Sequence, residues 1–116
     1  MAVKEISREG LRAKLDGGEG VVIVEALPHR YYEEAHLPGA VSIPHIEVDE
    51  LAPSLLPDKS ARPIVYCPNR ACQNSPQAAR RLEALGYENV CDYEDGEQDW
   101  MAAGLPIERG AVKTIG

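Results

Sequence analysis

Ile64-Val65-Tyr66-Cys67-Pro68-Asn69-Arg70-Ala71-Cys72-Gln73-Asn74-Ser75-Pro76, continuing through Ala78, Ala79, Leu82 and Leu85 to Gly86, is the stretch that decides the fold. It opens with an apolar run, Pro63-Ile64-Val65-Tyr66, of the length and composition of a buried strand, and the run stops abruptly at Cys67. From Cys67 to Asn74 there is no periodicity. Ser75-Pro76 then supplies an N-cap with proline in the first turn, and Ala78, Ala79, Leu82 and Leu85 form the apolar stripe of a helix that Gly86 ends. Strand, unpatterned loop and helix in this order make one unit of a parallel sheet with crossover helices.

Working outward, the same alternation recurs. Val21-Val22-Ile23-Val24 is a β-branched run between Gly20 and Pro28, expected as a central strand buried on both faces. Upstream, Val3 to Ile6 reads as a short strand, and Ser7 caps a helix that carries Leu11 and Leu15 on one face and stops at Gly17-Gly18. Downstream, Pro28 to Ala35 reads as a brief helix ended by the turn Leu37-Pro38-Gly39, and Ala40 to Ile43 as a strand. Ile46, Val48, Leu51 and Leu55 are spaced for a helix that Pro53 should interrupt. Val90 to Tyr93 is a last strand and Asp99 to Ala103 a last helix. The expectation is an α/β domain over residues 1–110, with a tail at 111–116 that carries no signal.

Composition narrows the function classes. A chain of 116 residues has room for one core, and twelve Lys+Arg against nineteen Asp+Glu leave a net charge of −7. An acidic surface argues against nucleic acid and anionic lipid as default partners. No apolar stretch approaches the roughly 20 residues that span a bilayer. Met1-Ala2-Val3-Lys4-Glu5-Ile6 lacks the pattern of a secretory leader, and three cysteines make no disulfide framework. Reducing, cytoplasmic surroundings are therefore the expectation.

The chemistry is expected where a strand's carboxyl end meets a helix N-terminus, which places Cys67 first. Backbone N–H groups and the positive end of the helix dipole converge there, a setting that stabilises oxyanions and is expected to lower a thiol's pKa. Cys72 lies close enough in sequence to act as an alternative carrier or a resolving thiol. Cys91, inside a strand, reads as core packing. His29, His36 and His45 sit in no paired motif and read as structural, and two cysteines without a second pair make a poor zinc site. No metal or cofactor is expected.

Four segments resemble, in order, the rhodanese-like sulfurtransferase superfamily in its single-domain form: VVIVEALPHRYYEEAHLPGA, IVYCPNRACQNSPQAARRLEALGY, NVCDY and DGEQDWMAAGLPIE. The resemblance implies a three-layer rhodanese-like fold, a central five-stranded mostly parallel sheet with helices on both faces. It also implies a catalytic cysteine at Cys67 that takes sulfane sulfur from a donor such as thiosulfate, holds it as a persulfide and passes it to a thiophilic acceptor. On that reading, Asn69, Arg70, Ala71, Gln73, Asn74 and Ser75 bind the donor, a small anion, through backbone N–H groups and the Arg70 charge. The acceptor, a thiol or a protein, is not specified. Against the family pattern, the loop is two residues longer than the common six-residue form. Asn74 stands where arginine is frequent, Glu25 and Leu27 replace Asp and Arg after the second strand, and Asp95-Gly96 replaces paired glycines.

Two other readings compete. A regulatory module could sense sulfane sulfur or redox state through Cys67 and Cys72 without turnover. A phosphatase or arsenate reductase of related fold needs an arginine six residues after its cysteine, and those positions hold Gln73 and Ala78.

Overall fold

In a computed structural model, residues 3–17 and 20–110 are described; the tail expected at 111–116 lies outside them. The strands are β1 (Lys4–Glu5), β2 (Val21–Glu25), β3 (Val41–Ser42), β4 (Arg62–Tyr66) and β5 (Cys91–Tyr93). The helices are α1 (Arg8–Gly17), α2 (His29–Glu34), α3 (Val48–Leu55), preceded by a 3-10 turn at His45–Glu47, α4 (Asn74–Ala84) and α5 (Gly96–Ala102). All five strands are parallel, in the order β1-β5-β4-β2-β3. This is the expected α/β architecture, with the continuous apolar runs β2 and β4 at its centre.

Alternation along the strands builds two cores, because successive side chains point to opposite faces. Val24 and Val65 pack with Val48, Ala52, Ala78, Ala79 and Leu82, the inner faces of α3 and α4. Ile23, Ile64 and Tyr66 pack on the other side with Leu11, Tyr32 and Trp100, from α1, α2 and α5.

Several boundaries differ from the sequence expectation for identifiable reasons. The Ser7 cap is as expected, its hydroxyl accepting the Gly10 N–H at 3.0 Å. Pro53 does not interrupt α3: it and Asp49, whose carbonyl loses a helical bond, both lie on the exposed side of the helix, where the ring meets no packed neighbour and the free carbonyl is not forced into the core. The α4 helix begins at Asn74 with Gln73 in the cap position. Ser75 is thus not the cap but a buried residue of the first turn, its hydroxyl turned toward Cys67. At the other end, Gly86 adopts φ +103°, and the N–H groups of Gly86 and Tyr87 return to the carbonyls of Glu83 and Leu82. That pairing is a Schellman motif, with Leu82 and Tyr87 both in the core beneath it. The last helix starts earlier than expected, at Gly96 rather than Asp99.

No helix of the described residues is long and apolar enough to cross a membrane.

Candidate active site

At the carboxyl end of the sheet, Cys67 follows β4 directly and is 1% exposed. Two turns shape the loop after it: the Asn69 carboxamide oxygen accepts the Ala71 N–H at 3.0 Å, and the Asn69 carbonyl accepts the Cys72 N–H at 3.2 Å. From behind, α5 clamps the start of the loop. The Glu97 and Gln98 N–H groups donate to the carbonyls of Cys67 and Pro68 at 3.1 and 2.9 Å, and the Asn69 amide donates to the Gln98 side chain at 3.2 Å. Gly96 permits this approach, with φ +74° and the Cys67 carbonyl where a Cβ would stand.

The sulfur itself sits among acceptors. Its nearest polar neighbours are the Ser75 hydroxyl at 3.4 Å, the Cys72 carbonyl at 3.7 Å and the Asn69 carbonyl at 4.0 Å. Burial, and then the adjoining Cys72 side chain, push the Cys67 thiol up to about 12, while the Ser75 hydroxyl and N–H pull the other way. The direction is opposite to the sequence-based expectation of a lowered thiol pKa, because burial of the sulfur outweighs the groups that favour the thiolate.

Of the expected site residues, the structure brings Cys67, Cys72 and Ser75 together. Asn69 shapes the turn, Asn74 is half-buried in the first turn of α4, and Ala71 and Gln73 are exposed. Arg70 is held by carboxylates at the carboxyl ends of β1 and β5. Its Nε donates to Asp95 at 2.6 Å, Nη1 to Glu94 at 2.8 Å and Nη2 to Glu5. Those carboxylates hold its charge, and the hydrogen bond to Arg70 in turn lowers the Glu5 pKa.

Residues to which sequence reasoning assigns no site role also stand near the loop or across the sheet from it. Gly96 and Gln98 clamp it; the signal is a glycine just ahead of a helix at the sheet's carboxyl edge. Asp92, 2% exposed in β5, lies beside Ser75, and burial pushes its carboxyl up to about 6. On the opposite face of the sheet, Glu25 is fully buried and accepts the Tyr66 hydroxyl at 2.8 Å, while that hydroxyl accepts the Leu37 N–H at 3.0 Å. Burial pushes Glu25 up to about 8.

None of the remaining candidates is among the hydrogen-bond partners of the Cys67 sulfur. His36 is stacked on Tyr32 with Nδ1 at 2.6 Å from the Tyr32 carbonyl, and His29 meets the Ser42 hydroxyl at 2.7 Å. Cys91 is half-buried and packs against the core that holds Ile64, Tyr66 and Tyr93, as expected; it also borders a cavity of about 500 Å³ lined by Lys4, Lys14 and Arg62. That cavity opens at the amino end of the strands, away from the Cys67 loop. Among the described residues, no group of three or more His, Cys, Asp or Glu is gathered as a metal site.

Among known proteins, the family model described as "Rhodanese-like domain" matches residues 7–103. The HTH-type transcriptional regulator Rv0324 of Mycobacterium tuberculosis is 35% identical over 106 residues, 91% of this chain and 45% of that protein. Thiosulfate sulfurtransferase PspE of Escherichia coli is 39% identical over 64 residues, 55% of this chain and 59% of PspE. The chain thus spans about half the length of these curated relatives. The crystal structure of BH2092 from Bacillus halodurans superposes with a TM-score of 0.83 at 28% identity, covering 91% of this chain and 77% of that one.

Proposed function

The chain belongs to the rhodanese-like domain family, and from that premise we propose that it is a sulfurtransferase in which Cys67 carries sulfane sulfur as a persulfide. The observation that carries this reading is the position of Cys67: a buried sulfur at the first residue of a loop between β4 and α4, clamped by α5 and fixed among backbone groups. With thiosulfate as donor, the thiolate of Cys67 attacks the sulfane sulfur. The donor's S–S bond breaks, a new bond forms to Sγ, and sulfite leaves with the electron pair. The persulfide then passes its outer sulfur to a thiol of a small molecule or a protein, in a reducing compartment such as the cytoplasm.

The α4 N-terminus faces this loop, and its positive end favours the anionic donor and the persulfide charge. The protein as a whole repels them, with net charge −7 and Arg70 held by three carboxylates. Affinity for thiosulfate then rests on backbone N–H groups around Asn69 to Ser75 rather than on a cationic side chain.

A second reading is favoured by one contact. The Cys72 side chain adjoins the Cys67 thiol closely enough to perturb it, so a Cys67–Cys72 disulfide or a bridging polysulfide is within chemical reach, and the module would then report sulfane sulfur rather than transfer it. The presence of a transcriptional regulator among the relatives is consistent with that use.

Intact mass after incubation of the reduced protein with thiosulfate separates the two. Gain of one sulfur atom that cyanide removes supports transfer. Loss of two hydrogens, or a bridged species resistant to cyanide, favours sensing.

A further inference from the structure

On the α4 face of the sheet, the β1–β5 edge carries a row of acids. Glu5 of β1 is in register with Asp92 of β5, and Asp92 with Val65 of β4. Val65 packs with Ala78, Ala79 and Leu82 of α4. Residues level with one another in adjacent strands share a face, so Glu5 and Asp92 lie on the side that α4 covers. The cover is incomplete, because α4 packs on β4 and β5 while β1 is the edge strand. A cavity of about 420 Å³ is left between the helix and the edge.

Its lining is acidic. Glu5, Glu83, Asp92 and Glu94 contribute carboxylates, against one guanidinium, Arg80. Glu5 and Glu94 already hold Arg70. Glu83, Arg80 and Asp92 make no ion pair among the described residues. Pro76, Arg80 and Glu83 share one side of α4 by helical spacing, and Pro76 with Val3 supplies an apolar wall.

Asp92 separates this cavity from an ordinary acidic surface. An exposed carboxylate is satisfied by water, but Asp92 is 2% exposed, and its Oδ1 is buried with no hydrogen-bond partner among the described residues. A carboxylate in that setting favours a cation that can donate a hydrogen bond. Its desolvation is already met in the folded protein, so an incoming donor gains a charge-assisted bond without that cost. The carboxylates do not converge on one point: among the described residues, no group of three or more His, Cys, Asp or Glu is gathered to hold a metal ion. Acids spread along an apolar wall suit an extended ligand with a charged head and an alkyl stem.

We infer that this cavity binds an organic cation, an ammonium or guanidinium group on an alkyl stem, with its head at Asp92 and its stem along Val3 and Pro76. The volume is that of a small ligand pocket and admits a group of lysine size. Arg80 is the competing charge, and Glu83 assists from the helix side. The site does not depend on sulfur transfer at Cys67.

The test is a titration of the full chain, its backbone amides followed by NMR, with two probes: cadaverine, a free diamine, and Nα-acetyl-lysine methylamide, a lysine side chain on a peptide unit. It is run above the value of about 6 to which burial pushes Asp92, so that the acid is charged. Saturable shifts centred on Glu5, Arg80, Glu83 and Asp92 are expected with both probes, and none with pentanol, which has the stem without the charge. Asp92→Asn, nearly the same shape, is expected to weaken binding about tenfold or more. Glu83→Gln should weaken it about twofold, and Arg80→Gln should tighten it by a similar factor. Glu50→Gln removes an exposed acid of α3 outside the cavity and should change nothing. Tighter binding of the lysine probe would assign the site to a protein side chain, and tighter binding of cadaverine to a free amine; either order supports the site. Absence of saturable shifts, a folded Asp92→Asn protein that binds as the wild type does, or equal weakening by Glu50→Gln overturns it. Displacement of the probes by an equal concentration of calcium overturns the class of ligand. If Asp92→Asn does not fold, Glu83→Gln and Arg80→Gln decide, and affinities unchanged in both overturn the inference.

Discussion

The carbonyl oxygen of Cys67 occupies the space beside Gly96 where any other residue would carry its Cβ: the two would be 2.0 Å apart. The contact joins the first residue of the active loop to the first residue of α5, and the Glu97 and Gln98 N–H bonds follow from it. Gly96→Ala must therefore move either the helix or the cysteine, and must also hold φ near +74° with a side chain. Strain and overpacking of this kind cost on the order of 3 kcal/mol. Thermal unfolding is expected to show a loss of about 10 °C in Tm, with sulfur loading of Cys67 reduced further than the change in folded fraction accounts for. An unchanged Tm and unchanged loading would mean that the clamp does not hold the loop.

Stability is expected to fall as pH rises through the neutral range. Glu25 has an ordinary value of 4.5 and is pushed up to about 8 in the folded protein, first by burial. Between those values the folded chain keeps a proton that the unfolded chain releases, so unfolding is favoured increasingly up to pH 8 and no further above it. Asp92, raised to about 6, and Glu97, raised to about 7, act in the same direction over narrower windows. The Glu25 share amounts to a few kcal/mol, on the order of 1 kcal/mol lost for each pH unit climbed within that window. Glu25→Gln keeps an acceptor for the Tyr66 hydroxyl and removes the titration. Its Tm is expected to fall less between pH 5 and 8 than that of the wild type, and equal slopes would contradict the assignment.

Donor affinity is expected to follow charge. Arg70→Ala leaves Glu5, Glu94 and Asp95 without their cation at the edge of the loop, so the KM for thiosulfate should rise while kcat changes little. Added inert salt should lower KM in both proteins by screening the overall negative field, and more in the variant. A wild-type KM that rises with salt would show instead that an exposed cation binds the donor.

The sheet is legible in the sequence because its central strands are continuous β-branched or apolar runs, Val21-Val22-Ile23-Val24 and Pro63-Ile64-Val65-Tyr66, and the second is followed by a periodic helix that Gly86 ends. The cysteine's place follows from the same pattern, since a thiol at a strand end before a helix is fixed by chain order alone. The charge state of that thiol is not legible. It depends on how deeply the loop is buried and on where Cys72 and Ser75 face, and the loop's seat is set by α5, which packs against it from a distant point in the sequence at Gly96. Arg70 reads as a donor-binding cation in the sequence for a similar reason: Glu5, Glu94 and Asp95 reach it only through the β1–β5–β4 pairing. Asp92 is hidden because a polar residue in a three-residue strand gives no period to mark it as buried.

Cys72 provides a further check. If it serves only to resolve Cys67, then oxidation of the wild type with a stoichiometric disulfide reagent should yield an intramolecular bridge. Cys72→Ser should remove the bridge and leave the Cys67 persulfide longer-lived. A Cys72→Ser protein that loads no sulfur would instead make Cys72 part of the transfer itself.

The most direct test of the central claim is intact mass after thiosulfate treatment of three reduced proteins: wild type, Cys67→Ser and Cys72→Ser. Transfer through Cys67 predicts one cyanide-removable sulfur atom on the wild type and on Cys72→Ser, and none on Cys67→Ser. Full loading of Cys67→Ser would contradict it.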